Sequence, residues 1–307
     1  MRVGSPDLLA PWLRLSLTPG VGNDTARRLL AAFGLPQSIF DANRSALRSV
    51  VSAAQADALL QPPPGWEPQW ALTLAWLSAS DNAPGDPGVA RSVVTLGDPG
   101  YPAGLLQMED PPLLLYLLGC GHFDATRRGM VMEASLAIVG TRNPSPQGAE
   151  NARLFARAFS DAGLTVVSGM ATGVDGAAHL GALEGAHPQP GAKTVAVVGT
   201  GLDRVYPRQH RALAHQIAAQ GVLVSEYPLG TPPLASNFPR RNRLIAGLSC
   251  GTLVVEAALK SGSLITARLA AEQGKEVFSI PGSIHSAQSR GCHALIRQGA
   301  KLVEAAA

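Results

Sequence analysis

Arg240, Arg241 and Arg243 surround Asn242 in the segment SNFPRRNRLIAGLSCGTLVVEAALKSGS, which runs from Ser236 to Ser263. Three guanidinium groups within four residues repel one another unless an anion lies among them. Guanidinium is also the side chain best shaped to grip a phosphate or carboxylate through two parallel hydrogen bonds. A helix-like stretch follows, then a strand-like run from Gly251 to Glu256, then a Ser261-Gly262-Ser263 turn into another helix. The chemistry on offer is anion binding at the mouth of an α/β sheet.

Three glycine-bearing turns close strand-like runs upstream: Gly140-Thr141-Arg142, Ser168-Gly169-Met170-Ala171-Thr172-Gly173 and Gly199-Thr200-Gly201. Open α/β sheets bind ligands beyond the carboxyl ends of their strands. Glycine lets backbone N–H groups approach a phosphate there, and the next helix N-terminus adds partial positive charge. Ser145-Pro146 fits the N-cap and first position of the helix after the first turn. None of the turns is GxGxxG or GxxxxGK[ST], so neither a dinucleotide site nor an ATPase is expected. Arg142 in the first turn, Ser168 and the Gly169 backbone in the second, Arg204, Arg208 and Arg211 around the third, and Arg240, Asn242 and Arg243 together form a candidate anion-binding rim. Tyr206, Tyr227 and Phe238 lie beside these groups and either pack in the core or stack on bases; such stacking is worth about 1–3 kcal/mol per base. Arginine interleaved with aromatics over several loops is what a groove for single-stranded nucleic acid needs.

Catalytic chemistry is harder to read. Asp175 and His179 in GVDGAAH share a helix face, as an acid/base pair or as a packed structural pair. Cys292-His293 with His285 lacks zinc-site spacing, and no GxSxG, HExxH or paired-carboxylate motif occurs. No catalytic group, metal or cofactor is expected.

The elements that must position these residues are short aliphatic runs alternating with helical stretches. Strands are predicted at 92–96, 113–118, 136–139, 165–167, 194–198, 222–225, 252–255 and 276–280. Helices are predicted at 147–162, 175–184, 208–220, 241–248 and 263–273. This alternation implies an α/β fold, a parallel sheet with helices on both faces. Residues 1–65 read instead as a small all-α domain. Residues 66–90, with PPPGWEP just before and across their start and DNAPGDPG near their end, read as a Pro/Gly-rich linker, partly docked through Trp66, Trp70 and Trp76. Residues 91–307 form the sheet domain.

Composition sets the outer limits. The chain has 307 residues, 46% hydrophobic and 15% charged, enough for a large core. No apolar run reaches membrane-spanning length and the N-terminus lacks a signal-peptide pattern. Three widely spaced cysteines, Cys120, Cys250 and Cys292, argue against a disulfide framework and for the cytoplasm. Residues 1–130 carry 9 Lys+Arg against 11 Asp+Glu, residues 131–307 carry 16 against 11, so the positive charge belongs to the sheet domain. Arginine outnumbers lysine 21 to 4, a bias that genomic base composition explains as well as function does.

Near the N-terminus, Pro19-Gly20-Val21-Gly22 followed by an amphipathic run matches a helix–hairpin–helix (SAM-like) turn. In such modules glycine N–H groups hold a DNA phosphate; the alternative is a helical module that packs on the main domain or on a partner.

From about Tyr101 to Ala300 the chain resembles the DNA-processing protein A (DprA/Smf) family. The matching motifs are YPAGLL, PPLLLYLLG, AIVGTRNPSPQG, VVSGMATGVDGAAH, VVGTGLDRVYP, SEYPLGTPPLASNFPRRNRLIAGLS, VVEAALKSGSLITARLA, FSIPG and GCHALIRQGA. The resemblance implies an extended Rossmann-like domain, binding of single-stranded DNA, homodimerisation, and protection of incoming DNA with loading of the RecA recombinase during natural transformation. Single-stranded-DNA-binding protein is a further implied partner. The implied DNA contacts fall on Arg142, Ser168, Gly169, Met170, Arg211, Phe238, Arg240, Asn242, Arg243, Ser261 and Gly262, with Arg211 standing where relatives commonly carry Lys. Two departures stand out. His293 replaces the Asn of GxNxLI, and the chain stops after GAKLVEAAA, where many members continue into a winged-helix domain; it is expected to be a short member or a piece of a longer protein. Two rival readings remain. A nucleotide-processing enzyme of the LOG phosphoribohydrolase type would need a PGGxGTxxE loop, but SCGTLVVE lacks Pro-Gly-Gly and sets Glu256 one residue too far, on the opposite strand face. A protein-binding scaffold would show no salt-dependent DNA affinity.

Overall fold

The computed structural model describes residues 6–79, 89–120, 134–188 and 191–305. Its centre is a nine-stranded sheet. The strands are β1 (Val89–Thr95), β2 (Leu114–Cys120), β3 (Ser135–Val139), β4 (Thr165–Ser168), β5 (Thr194–Val197), β6 (Val222–Ser225), β7 (Gly251–Val254), β8 (Glu276–Ser279) and β9 (Lys301–Leu302). They lie in the order β1-β2-β6-β5-β4-β3-β7-β8-β9. β3 to β9 pair in parallel, and the β1–β2 hairpin adds antiparallel to the free edge of β6. All eight strands expected from the aliphatic runs are present; β9 is the addition.

Among the described residues, six α-helices precede the sheet: α1 (Pro6–Leu17), α2 (Asn23–Phe33), α3 (Pro36–Asp41), α4 (Arg44–Arg48), α5 (Ala53–Leu59) and α6 (Trp66–Ser78). Seven more connect the strands: α7 (Ala103–Leu106), α8 (Pro146–Asp161), α9 (Val174–Glu184), α10 (Arg211–Gln220), α11 (Asn237–Gly247), α12 (Ser263–Glu272) and α13 (Arg290–Arg297). The linker reading needs revision at its start, because residues 66–78 are helical. Pro68 falls in the first turn of α6, where a missing N–H costs nothing. The DNAPGDPG stretch lies outside the described residues.

Alternation along the strands assigns each face its own core. Ala137, Val139, Val167, Val195, Val197 and Val254 point to the layer holding α7, α11, α12 and α13. Ile138, Val166 and Leu253 point the other way, to α8 and α9. Buried on both faces, these strands read as unbroken apolar runs. The N-terminal helices continue the second layer, sharing a core with Tyr116, Ala196, Leu213 and Ile217. Trp76 packs edge-on to Tyr116, with centroids 5.9 Å apart, and Gln69 Nε2 donates to the Leu229 carbonyl. The helical module is thus docked on the sheet through α6.

α8 and α9 cross closely because Gly181 leaves no side chain between them: a methyl there would lie 2.1 Å from the Arg153 carbonyl oxygen. Behind this crossing His179 is fully buried. Thr194 Oγ1 donates to the Val166 carbonyl and lies 2.7 Å from His179 Nδ1, so Nδ1 carries the ring hydrogen and donates to Thr194. Nε2 has no partner. Burial, with the nearby charges of His210 and Arg241, pushes the imidazole down to about 3. Of the two readings for Asp175 and His179, the structural one describes this histidine.

A pH dependence follows. An unfolded His accepts a proton near pH 6.5, which the folded site refuses down to about 3. The contribution of neutral His179 is therefore present above about pH 6.5 and lost as pH falls, by about 1.4 kcal/mol per unit. Urea unfolding at pH 7 and pH 5 should differ by about 2 kcal/mol from this group, and His179→Leu should shrink that difference. An equal pH dependence in the variant would exclude the assignment.

Candidate nucleic-acid interface

Strand order reverses at β3, which has β4 on one side and β7 on the other. Connections from β3 and β7 leave in opposite directions, so a crevice must open beyond their carboxyl ends. A groove of about 640 Å³ lies there. Its walls come from the Gly140-Thr141-Arg142 turn after β3, from α11, and from the Lys260-Ser261-Gly262-Ser263 segment leading into α12.

The β3 turn is held from β7. Thr141 N–H donates to the Glu256 carbonyl at 2.7 Å. The Glu256 carboxylate accepts from Ser145 N–H at 2.9 Å and from Ser145 Oγ at 2.5 Å. Ser145 Oγ in turn accepts from Gly148 N–H, capping α8 as expected from Ser-Pro. Gly148 has no room for a side chain because Glu256 occupies that space. The acid that the enzyme reading would require as a catalyst is bound to a helix cap.

Helix α11 decides where the arginine cluster points. It begins at Asn237, four residues before the expected start. Residues 238, 241, 242 and 245 then fall at i, i+3, i+4 and i+7, one face of a helix, and Phe238, Arg241, Asn242 and Ile245 all line the groove. Arg240 and Arg243 lie on another side. The cluster is divided, and its members do different work.

Arg241 forms the floor. It is only 4% exposed, and its Nη1 donates to the Val197 carbonyl at 3.0 Å. Its Nε has no partner. Burial lowers its pKa, with Asp175 in the same floor acting in the opposite direction. Burial likewise raises the Asp175 carboxyl, against the pull of Arg241. Gly169 lies directly against this guanidinium, and a methyl there would sit 1.6 Å from Nη1. Met170, with φ of 57°, is the one non-glycine residue with positive φ among those described; its side chain is buried in the core and its carbonyl lies 3.0 Å from His210 Nδ1. Ser168 is fully buried and donates to the Ile138 carbonyl. The SGMA turn therefore shapes the seat of Arg241; the Ser168 and Met170 side chains are buried, and only Ala171 of the turn lines the groove.

The rim is cationic and aromatic. Arg142 is exposed, with its guanidinium 5.7 Å from the Phe238 ring centre. Phe238 packs at 5.5 Å against Tyr206, which is 42% exposed. Gly199 lies under Phe238, and Asn237 Nδ2 holds the Gly199 carbonyl, fixing the start of α11 over the third glycine turn. Asn242 Nδ2 donates to the Gly262 carbonyl, and Ser261 Oγ pairs with Ser263 Oγ, which ties the Ser-Gly-Ser turn to α11. Lys260 projects from the same turn. Among the described residues no carboxylate forms an ion pair with Arg142, Arg211 or Lys260, whereas Glu226 lies within electrostatic reach of Arg240.

Arg243 differs from them. Its Nη1 donates to the Asp110 carbonyl at 2.8 Å, its Nη2 donates to Glu226 Oε2, and Asp110 Oδ2 is 3.7 Å away. The structure does not bring Arg243 into the groove. Arg211 opens α10, away from the groove lining, and Tyr227 donates through its hydroxyl to the Asn237 carbonyl. Arg241, Tyr206 and Lys260 are groove residues that the sequence expectation left out of the implied contacts. The signal for Arg241 was available: a helix begun at Asn237 puts it on the Phe238 face.

A family model, DNA recombination-mediator protein A, matches residues 92–307. The chain belongs to the DNA-processing protein A (DprA/Smf) family. The Smf protein of Escherichia coli K12 is 49% identical over 204 residues, 66% of this chain and 51% of that protein. The DprA of Streptococcus pneumoniae R6 is 44% identical over 206 residues, 67% of this chain and 68% of that protein. The aligned region thus spans about half the length of the E. coli relative. Among solved structures, S. pneumoniae DprA superposes with a TM-score of 0.76 at 31% identity, covering 100% of this chain and 96% of that one. A Helicobacter pylori DprA, solved for its single-stranded-DNA binding mode, superposes at 0.61 and 31% identity, covering 70% and 92%. The mostly parallel Rossmann-like sheet of the DprA/Smf fold is therefore present in this chain.

Because the Arg241 seat has no slack, Gly169→Ala should lower stability by about 1–3 kcal/mol in urea unfolding. Wild-type stability in that variant would show that the guanidinium is not confined by the turn.

Proposed function

We propose that this protein is a non-catalytic recombination mediator that binds single-stranded DNA along the groove between the β3 and β7 ends. The observation that carries the reading is a cationic groove with aromatic walls and, among the described residues, no carboxylate ion-paired with its rim cations Arg142 and Lys260. Arg142 and Lys260 line it from two different loops, Arg241 is buried in its floor, and Phe238, under the Arg142 guanidinium, packs on Tyr206 in its wall. Phosphates run along the cations, and bases lie against the aromatics. A duplex presents no unstacked base to such a wall.

The family supplies the context. As a recombination mediator the protein protects incoming single strands in the cytoplasm and loads RecA on them during natural transformation, acting as a homodimer. Among the described residues no helix is long and apolar enough to cross a membrane, and no group of His, Cys, Asp and Glu suits a metal. Residues 1–65 serve as a docking module for the DNA-binding domain at 91–307, with 66–90 joining them.

Fluorescence anisotropy with a labelled oligothymidine at several salt concentrations tests the reading. Affinity should fall steeply with salt, with a log–log slope of about −0.7 per neutralised phosphate. Arg142→Ala should weaken binding of every sequence alike and make the slope shallower by about 0.7. Phe238→Ala should cost about 1–3 kcal/mol with the slope unchanged. Equal affinity for single- and double-stranded oligonucleotides, or none for either, would sink the proposal.

A further inference from the structure

α11 carries cations on two sides, and the side turned away from the groove is braced by the rest of the protein. Arg243 reaches the Asp110 carbonyl, the Asp110 carboxylate and Glu226. Asp110 is shared: Arg27 of α2 donates to its Oδ1 at 2.9 Å and to the Glu109 carbonyl at 2.9 Å, and Asn23 Nδ2 lies 3.4 Å from Oδ2. One carboxylate therefore joins the first turns of α2, the loop after α7, and α11. A second device acts on the same side. α7 crosses α11 glycine on glycine, since a methyl on Gly104 would lie 2.4 Å from the Gly247 carbonyl oxygen and one on Gly247 would meet Met108 and Leu105.

We propose that Arg243 is a positioning residue and makes no contact with DNA: through Asp110 and Glu226 it sets the rotation of α11 that turns Phe238, Arg241 and Asn242 into the groove. Arg243 and Glu226 are 17% and 11% exposed, so the guanidinium is committed to protein acceptors on the far side of the helix. The same hub occupies the start of α2 next to the Gly20–Gly22 turn. That turn, which resembles a phosphate-binding hairpin, here adjoins a helix end that holds a protein carboxylate. The inference rests on the single-stranded-DNA reading of the groove, and the test separates the two.

The experiment compares oligothymidine affinity and its salt slope in wild type, Arg243→Met and the double variant E226Q/R243M. The double variant removes both members of the pair, keeps net charge constant, and avoids leaving Glu226 buried without a partner. Thermal unfolding confirms that each variant is folded at the temperature of measurement. The expected result is a roughly three- to ten-fold loss of affinity in the folded double variant, equal at all salt concentrations, with the slope unchanged. A slope shallower by about 0.7 would make Arg243 a phosphate ligand and overturn the proposal. A lowered Tm with wild-type affinity would overturn it too, leaving Arg243 only a structural part. If wild type itself shows no salt-dependent binding, the groove reading fails first and this inference falls with it.

Discussion

Arg241 keeps a guanidinium at the floor of a groove with almost no access to water, and the surrounding architecture answers that one demand. A buried cation is costly unless protein dipoles and a counter-charge replace the lost hydration. The Val197 carbonyl, freed at the end of β5, supplies one acceptor, and Asp175 at the start of α9 supplies negative potential. The second glycine turn exists to make room, since any side chain at Gly169 would occupy the guanidinium's place. Even the positive φ of Met170 fits this demand, carrying the chain around the charge while its side chain returns to the core.

Around this floor the groove is assembled from parts distant in sequence and tied by a few hydrogen bonds. Glu256 fixes the β3 turn, Asn242 fixes the Ser-Gly-Ser turn, and Asn237 fixes the third glycine turn. The cations that remain exposed, Arg142 and Lys260, sit on segments whose backbones are held in this way. A backbone already fixed has less freedom left to lose when a ligand arrives.

Much of this was legible in the residues. Strand positions followed from short aliphatic runs, because strands buried on both faces need apolar residues at every position. The glycine turns and the Ser145 cap were readable because the backbone permits few alternatives there. The direction of each arginine was not. Arg240, Arg241 and Arg243 are adjacent in the chain, yet one is exposed, one is a buried floor and one is an internal brace. That division depends on where α11 begins and on Asp110, 133 residues from Arg243. Residues 66–78 were obscured for a local reason: prolines in a first helical turn look like breakers unless the start is known. Ser168, a promising ligand by its position in a turn, belongs to a strand end whose hydroxyl is needed by β3.

The cap on α8 has one more implication. Related sheets that bind nucleotides seat a phosphate on the helix that follows a strand at the reversal point, using its free N–H groups. In this protein that seat is filled from within: the Glu256 carboxylate takes the Ser145 N–H, and Ser145 takes the N–H of Gly148. The fold has supplied its own anion. Under the proposed function, an incoming polynucleotide meets a helix start already capped at the point where a mononucleotide's phosphate would lodge. On that proposal, the groove holds a passing strand without seating a terminal phosphate on this helix.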